Sequence, residues 1–185
     1  MEEESGSSYS KLTRIVVTGP ESTGKSTLTL QLAQYYKTIF VPEYARTYVE
    51  NLKRPYNYAD VVNIAEMQKK QHDELLNKGN ILVFFDTYLI ITKTWLNVVY
   101  GRCPEWIDNE IGRKTIDLYL LCDTDIPWIN DPVRENGGAM REELFGTYRN
   151  ELDKYNLRYC IIQGTGNQRL ENAIQAVDNY LLHQV

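Results

Sequence analysis

The chain has 185 residues, a net charge of −5 and a hydrophobic fraction of 43%. That length builds one full core rather than two, and the composition is that of an ordinary globular protein. The acidic balance argues against duplex nucleic acid as the main partner, since phosphate backbones attract basic surfaces, and no apolar run approaches the length of a bilayer span.

In chain order, residues 1–10 are acidic and Ser-rich, lack the basic and apolar regions of a signal peptide, and read as a disordered lead-in. Residues 11–185 read as a single domain. Apolar runs at 14–18, 39–41, 81–85, 118–122 and 159–163 are short, and several are β-branched or aromatic, as strands buried on both faces tend to be. Helical patterns separate them. The first starts at the loop after the first strand and runs to about Tyr36. The second covers 57–78, with a stripe of Val61, Ile64, Ala65, Gln68, His72 and Leu75 and with Gly79 as its expected C-terminal cap. A third spans 89–100 and ends at Gly101. Leu144, Tyr148, Leu152 and Tyr155 mark a fourth, and Leu170, Ala173, Ile174, Val177 and Leu181 the last. Residues 123–141 mix Pro127, Pro132, Gly137 and Gly138 with charges and read as a mobile insertion. Cys103, Cys122 and Cys160 show no C-x-x-C spacing, so reduced thiols and a cytoplasmic location are expected, with Cys122 and Cys160 in the core. Strands alternating with helices imply an α/β fold with a parallel sheet covered on both faces.

The stretch "VVTGPESTGKSTLTL" holds Gly19, four residues, then Gly24-Lys25-Ser26, which is the P-loop spacing G-x-x-x-x-G-K-[ST] between a strand and a helix. Its backbone N–H groups and the following helix N-terminus suit phosphate oxygens. The expected nucleotide cradle is Gly19, Glu21, Ser22, Thr23, Gly24, Lys25, Ser26 and Thr27, with Lys25 reaching the outer phosphates and the Ser26 hydroxyl on Mg²⁺. There is no N-K-x-D guanine motif and no G-x-G-x-x-G fingerprint, so ATP is the expected nucleotide. In an open α/β sheet, ligands bind beyond the carboxyl ends of the strands. Glu43 follows one apolar run and Asp86 another. Either carboxylate suits Mg²⁺ ligation or a general base facing a hydroxyl; the competing readings are an N-cap for Asp86 and an ion pair with Arg46 for Glu43.

"GPESTGKSTL", "VPEYAR", "IAEMQ", "FFDT", "YGRCPEW" and "DLYLLCDTDIPWINDPVRE" resemble the ribosylnicotinamide kinase domain of NadR-type proteins over nearly the whole chain, from about Leu12 to Leu182. The resemblance implies a P-loop NTPase fold of three α/β/α layers, a five-stranded sheet of order 2-3-1-4-5 and a mobile lid. It also implies ATP-dependent phosphorylation of the 5′-hydroxyl of nicotinamide riboside to nicotinamide mononucleotide. Where family members often read D-T-D, this chain has Asp86-Thr87-Tyr88. It also has no H-x-G-H-like motif, so no adenylyltransferase activity is expected.

The catalytic set expected on this basis is Lys25, Glu43, Asp86 and Arg134, with Ser26 and Asp86 on the metal. Arg134 and Arg141 in the lid are expected to meet the triphosphate, and Asp131 to hold ribose hydroxyls or orient Arg134. A cationic pyridinium ring calls for aromatic faces. Candidates are Tyr44, Trp95, Tyr100, Trp106 and above all Trp128. Arg46 joins the substrate set, as does Gln68, whose amide on an apolar stripe needs either a ligand or a backbone bond inside the core. His72 is expected to be structural, and Asn167 and Arg169 to border the adenine. The rivals are a kinase of another nucleoside or small molecule, and a regulatory module that binds ATP without transferring phosphate. The expected partner is a small-molecule nucleoside, with no nucleic acid and no membrane.

Overall fold

The computed structural model describes residues 12–75, 79, 81–128 and 139–183. Five strands, β1 (Thr13–Thr18), β2 (Ile39–Val41), β3 (Leu82–Asp86), β4 (Leu118–Cys122) and β5 (Tyr159–Ile162), form one sheet in the order β2-β3-β1-β4-β5. Every pairing is parallel. This is the order the family resemblance implied, and the strands lie within a residue of the apolar runs.

The period of two along each strand splits the core into two layers. Ile15, Val17, Leu82, Phe84, Leu118 and Leu120 pack with Leu28 and Leu32 of α1 (Lys25–Tyr35) and with Ala173 and Val177 of α7 (Asn167–Leu182). Val16, Val83, Phe85, Tyr119 and Leu121 pack on the opposite face. There they meet α3 (Tyr58–Asp73), α4 (Leu89–Tyr100), α5 (Glu105–Gly112) and α6 (Ala139–Lys154). Cys122 is fully buried and Cys160 packs against the same layer; all three cysteines are free.

Two helices have no counterpart in the sequence reading: α2 (Tyr44–Asn51), none of whose residues is buried, and α5. Eight residues are barely two turns, too few for an apolar period to declare itself. Helix α3 starts on a capping box between Asn57 and Asp60 but ends at Asp73, short of the expected 78. Its cap is Glu74, so Gly79, although at φ +80°, does not cap it. Gly101 does cap α4, in the left-handed region at φ 65°. The lead-in at 1–10 and lid residues 129–138, which include Asp131 and Arg134, lie outside the described residues. No helix among the described residues is long and apolar enough to cross a membrane.

His72 is structural, as expected. It is 1% exposed, lies against Phe85 and Tyr88, bonds Asp73 through Nδ1 at 3.2 Å, and leaves Nε2 without a partner. Burial pushes its pKa below the usual histidine value, with Arg14 acting the same way and Asp73 and Glu110 opposing. The folded state therefore keeps the ring neutral while the unfolded chain protonates near pH ~6.5. Its contribution to stability is complete above that pH and is lost as pH falls below it through the lower folded value. The melting temperature should drop between pH 7 and pH 5.5, and His72→Phe should flatten that drop. An unchanged slope in the variant would assign the pH sensitivity elsewhere.

Candidate active site

The phosphate loop leaves β1 at its carboxyl end through Gly19, at φ +141°. A Cβ there would stand 2.7 Å from the Cys122 carbonyl oxygen, so the loop passes β4 only because this residue is glycine. Gly24, at φ 75°, is the N-cap of α1, and Ser22 is left-handed at φ 56°. The Thr23 hydroxyl and the Lys25 ammonium both donate to the Pro20 carbonyl, at 2.8 and 2.7 Å. The result is a closed concave turn with a lysine folded over it at the positive end of a helix.

Across from this turn opens a cleft of about 500 Å³. One wall is the loop itself, including Gly19, Glu21, Ser22, Thr23, Gly24, Lys25, Ser26 and Thr27; the facing wall carries Glu43, Arg46, Gln68, Thr87 and Trp95. Asp86, the last residue of β3, is 4% exposed and accepts the Ser26 hydroxyl, while its Oδ1 is buried with no partner. Burial pushes its carboxyl above the ordinary range, against the pull of Ser26, Lys25 and Arg46. The N-cap reading does not hold, since α4 is capped at Tyr88. Between them Thr87 takes a left-handed φ of 71°, its N–H donating to the Val17 carbonyl at 3.0 Å. Such strain at a non-glycine residue beside a cleft is a frequent mark of function.

Glu43 stands at the N-cap of α2 yet makes no capping bond with its side chain, and it lines the cleft. Arg46 bonds Glu50 at 2.9 Å. Gln68 is 5% exposed and its Oε1 accepts the Thr92 hydroxyl at 2.7 Å, a side-chain partner rather than the backbone one. Trp95 meets Tyr56 edge to face, with centroids 4.8 Å apart.

Several expected residues stand elsewhere. Trp128 is exposed and does not line the cleft. Tyr44 lines a second, shallower cleft with Asn63, Glu66 and Lys70. Tyr100 packs on Tyr58, and Trp106 lies against the core. Arg141 does not line the cleft either. It is 6% exposed, and its guanidinium donates to backbone carbonyls, so the geometry runs against the expected contact with the triphosphate. Arg169 is 3% exposed and does not line the cleft.

The sequence reading missed Arg54, Tyr56, Thr92 and Tyr148, which all line the cleft. Arg54 is held by Asp60 through both Nη atoms, at 2.7 and 2.9 Å, with the Tyr48 hydroxyl on the same carboxylate at 3.0 Å. Arg54 and the Tyr48 hydroxyl hold the Asp60 carboxyl well below the usual range. The only signal was local: "RPY" precedes the helix whose stripe carries Gln68.

A glycine-bounded turn between β1 and α1, on a parallel sheet of this order, defines the three-layer P-loop class, and the fold is that of P-loop kinases. The chain belongs to the AAA domain family AAA_28, whose model matches residues 14–169. It is 28% identical over 146 residues to the trifunctional NAD biosynthesis/regulator protein NadR of Salmonella typhimurium, covering 77% of this chain and 36% of the relative. The Escherichia coli NadR is 27% identical over 154 residues, covering 80% and 38%. The chain thus spans little more than a third of these relatives. Among solved structures, a NadR protein in complex with NR superposes with a TM-score of 0.76 at 23% identity, covering 91% of this chain and 50% of that one. Thymidylate kinase from Ehrlichia chaffeensis superposes at 0.65 and 13% identity, covering 91% and 98%.

Proposed function

We propose that the protein is an ATP-dependent kinase that phosphorylates the ribose 5′-hydroxyl of nicotinamide riboside. The observation that carries this reading is the Asp86 carboxylate, buried with one oxygen unpartnered beside Ser26 and Lys25, which together with Thr87 line a cleft with an aromatic wall. Support for the acceptor comes from the NadR structures, one in complex with NR and another, at a TM-score of 0.75 and 24% identity, with NAD and AMP-PNP.

Phosphoryl transfer asks the protein mainly for positioning and for charge. The backbone N–H groups of the loop hold the triphosphate, and Lys25 leaves the Pro20 carbonyl to meet its outer oxygens. The hard oxygens of Asp86 and Ser26 fit Mg²⁺, which keeps most of its waters and takes few protein ligands. No cluster of three His, Cys, Asp or Glu side chains competes for a metal among the described residues. Mg²⁺ when bound neutralises charge on the transferring phosphoryl group. Glu43 faces the acceptor hydroxyl and takes its proton. The base lies against Trp95 and Tyr56, with Gln68 fixed by Thr92 at its polar edge. Outside the described residues, Arg134 is proposed as the lid cation and Asp131 as its orienting partner.

ADP release measured over a panel of nucleosides tests this. Nicotinamide riboside should stimulate release more than uridine, cytidine, adenosine or deoxynucleosides; preference for a neutral nucleoside would replace the acceptor, and ATP binding without any release would indicate a sensor. Within the preferred pair, Trp95→Ala should raise KM for the acceptor about tenfold and leave KM for ATP within about twofold.

A further inference from the structure

A phosphate loop works through N–H groups that face inward. Because the peptide is planar and trans, each inward N–H has the preceding carbonyl pointing outward. Outward carbonyls buried in protein need donors of their own. Here two arginines supply them. Arg169, in the first turn of α7, donates Nη1 to the Thr23 carbonyl at 3.2 Å, Nε to the Gly164 carbonyl at 2.7 Å and Nη2 to the Asp123 carbonyl at 3.3 Å, and it pairs with Asp125. Arg141, near the start of α6, shares Nη2 among the carbonyls of Ser22 and Thr124, both at 3.4 Å, and Ile126, at 3.0 Å. No carboxylate pairs with Arg141 among the described residues.

We propose that Arg141 and Arg169 are positioning residues of the nucleotide site. Held by Arg141, the Ser22 carbonyl turns the Thr23 N–H toward the phosphates. Held by Arg169, the Thr23 carbonyl does the same for the Gly24 N–H. Both arginines also bond the chain that leaves β4, so the loop and the segment leading into the lid share one brace. Neither side chain touches the nucleotide. This role rests on the reading that the loop binds a polyphosphate, and it adds residues outside the G-x-x-x-x-G-K-[ST] pattern to that function.

The test is binding of AMP-PNP and of inorganic tripolyphosphate by calorimetry to the full chain and to Arg169→Lys and Arg141→Lys. Lysine keeps the charge but cannot span three acceptors. Affinity for both probes should fall about tenfold, the scale of one charge-assisted hydrogen bond. Affinity for the acceptor nucleoside should stay within about twofold, and amide exchange at Thr23 and Gly24 should quicken. Unchanged probe affinity in variants that melt cooperatively would overturn the proposal, as would equal losses for probe and acceptor, which would mean a general loss of structure. If Arg169→Lys does not fold, Asp125→Asn loosens the same guanidinium from its carboxylate, and unchanged probe affinity there would equally overturn it. Failure of the unaltered protein to bind either probe would instead overturn the nucleotide reading itself.

Discussion

Lys25→Ala should reduce phosphoryl transfer by about 10²–10³-fold while leaving the fold intact. A cation placed over the outer phosphates acts where charge is redistributed during transfer, and removing one such stabiliser typically costs 10²–10³-fold in a water-poor site. Among the described residues of the nucleotide-free chain the Lys25 ammonium donates to the Pro20 carbonyl, and the burial of α1 is carried by Leu28 and Leu32 rather than by Lys25. The melting temperature should therefore move by no more than about 2 °C. Coupled ADP-release kinetics and a thermal melt check both halves. Near-normal turnover would remove the loop from the mechanism, whereas lost turnover with a collapsed melt would show that the lysine braces the loop rather than serving the phosphates.

The parts of this molecule that were legible in the sequence are those whose chemistry is local. The inner strands could be read because burial on both faces forces a continuous apolar run, as in Leu118–Cys122, all five residues of which are buried, whereas edge strand β2 has no buried residue. The loop could be read because its glycines answer to a turn geometry spelled out within eight residues, and Asp86 because a carboxylate after "LVFF" has nowhere to go but the strand end. The aromatic wall was only half legible. Trp95 was named, but its partner Tyr56 lies 39 positions away and meets it only through the docking of α3 on α4. The arginines are legible only in the fold: the sequence places Arg141 on the triphosphate and Arg169 beside the adenine, whereas both guanidiniums bond the loop's carbonyls. Trp128 was chosen for its place in a polar segment, a criterion that says nothing about which way the chain turns after β4.

Asp86→Asn should separate the two strand-end acids. It keeps shape and loses charge, so turnover should fall by about 10²-fold or more, with a weakened response to Mg²⁺ if Asp86 serves the metal side. It should also raise the melting temperature of the nucleotide-free protein at neutral pH. Burial holds the folded pKa of this carboxyl above its unfolded value, so its contribution is most favourable below the unfolded pKa and worsens as pH rises toward the folded one. At neutral pH the charged form is a cost that asparagine removes. Gain of stability with loss of turnover is the expected pattern for a group held in place for chemistry rather than for packing. Glu43→Gln should behave differently. The side chain lines the open cleft, and glutamine keeps its shape and its hydrogen-bonding reach, so the melt should change little. If it takes the hydroxyl proton, kcat falls and the Mg²⁺ titration keeps its midpoint; if it only grips the ribose, the loss appears in KM for the acceptor. A Glu43→Gln enzyme with unaltered kcat and a shifted Mg²⁺ midpoint would exchange the two roles, leaving Asp86 to face the hydroxyl.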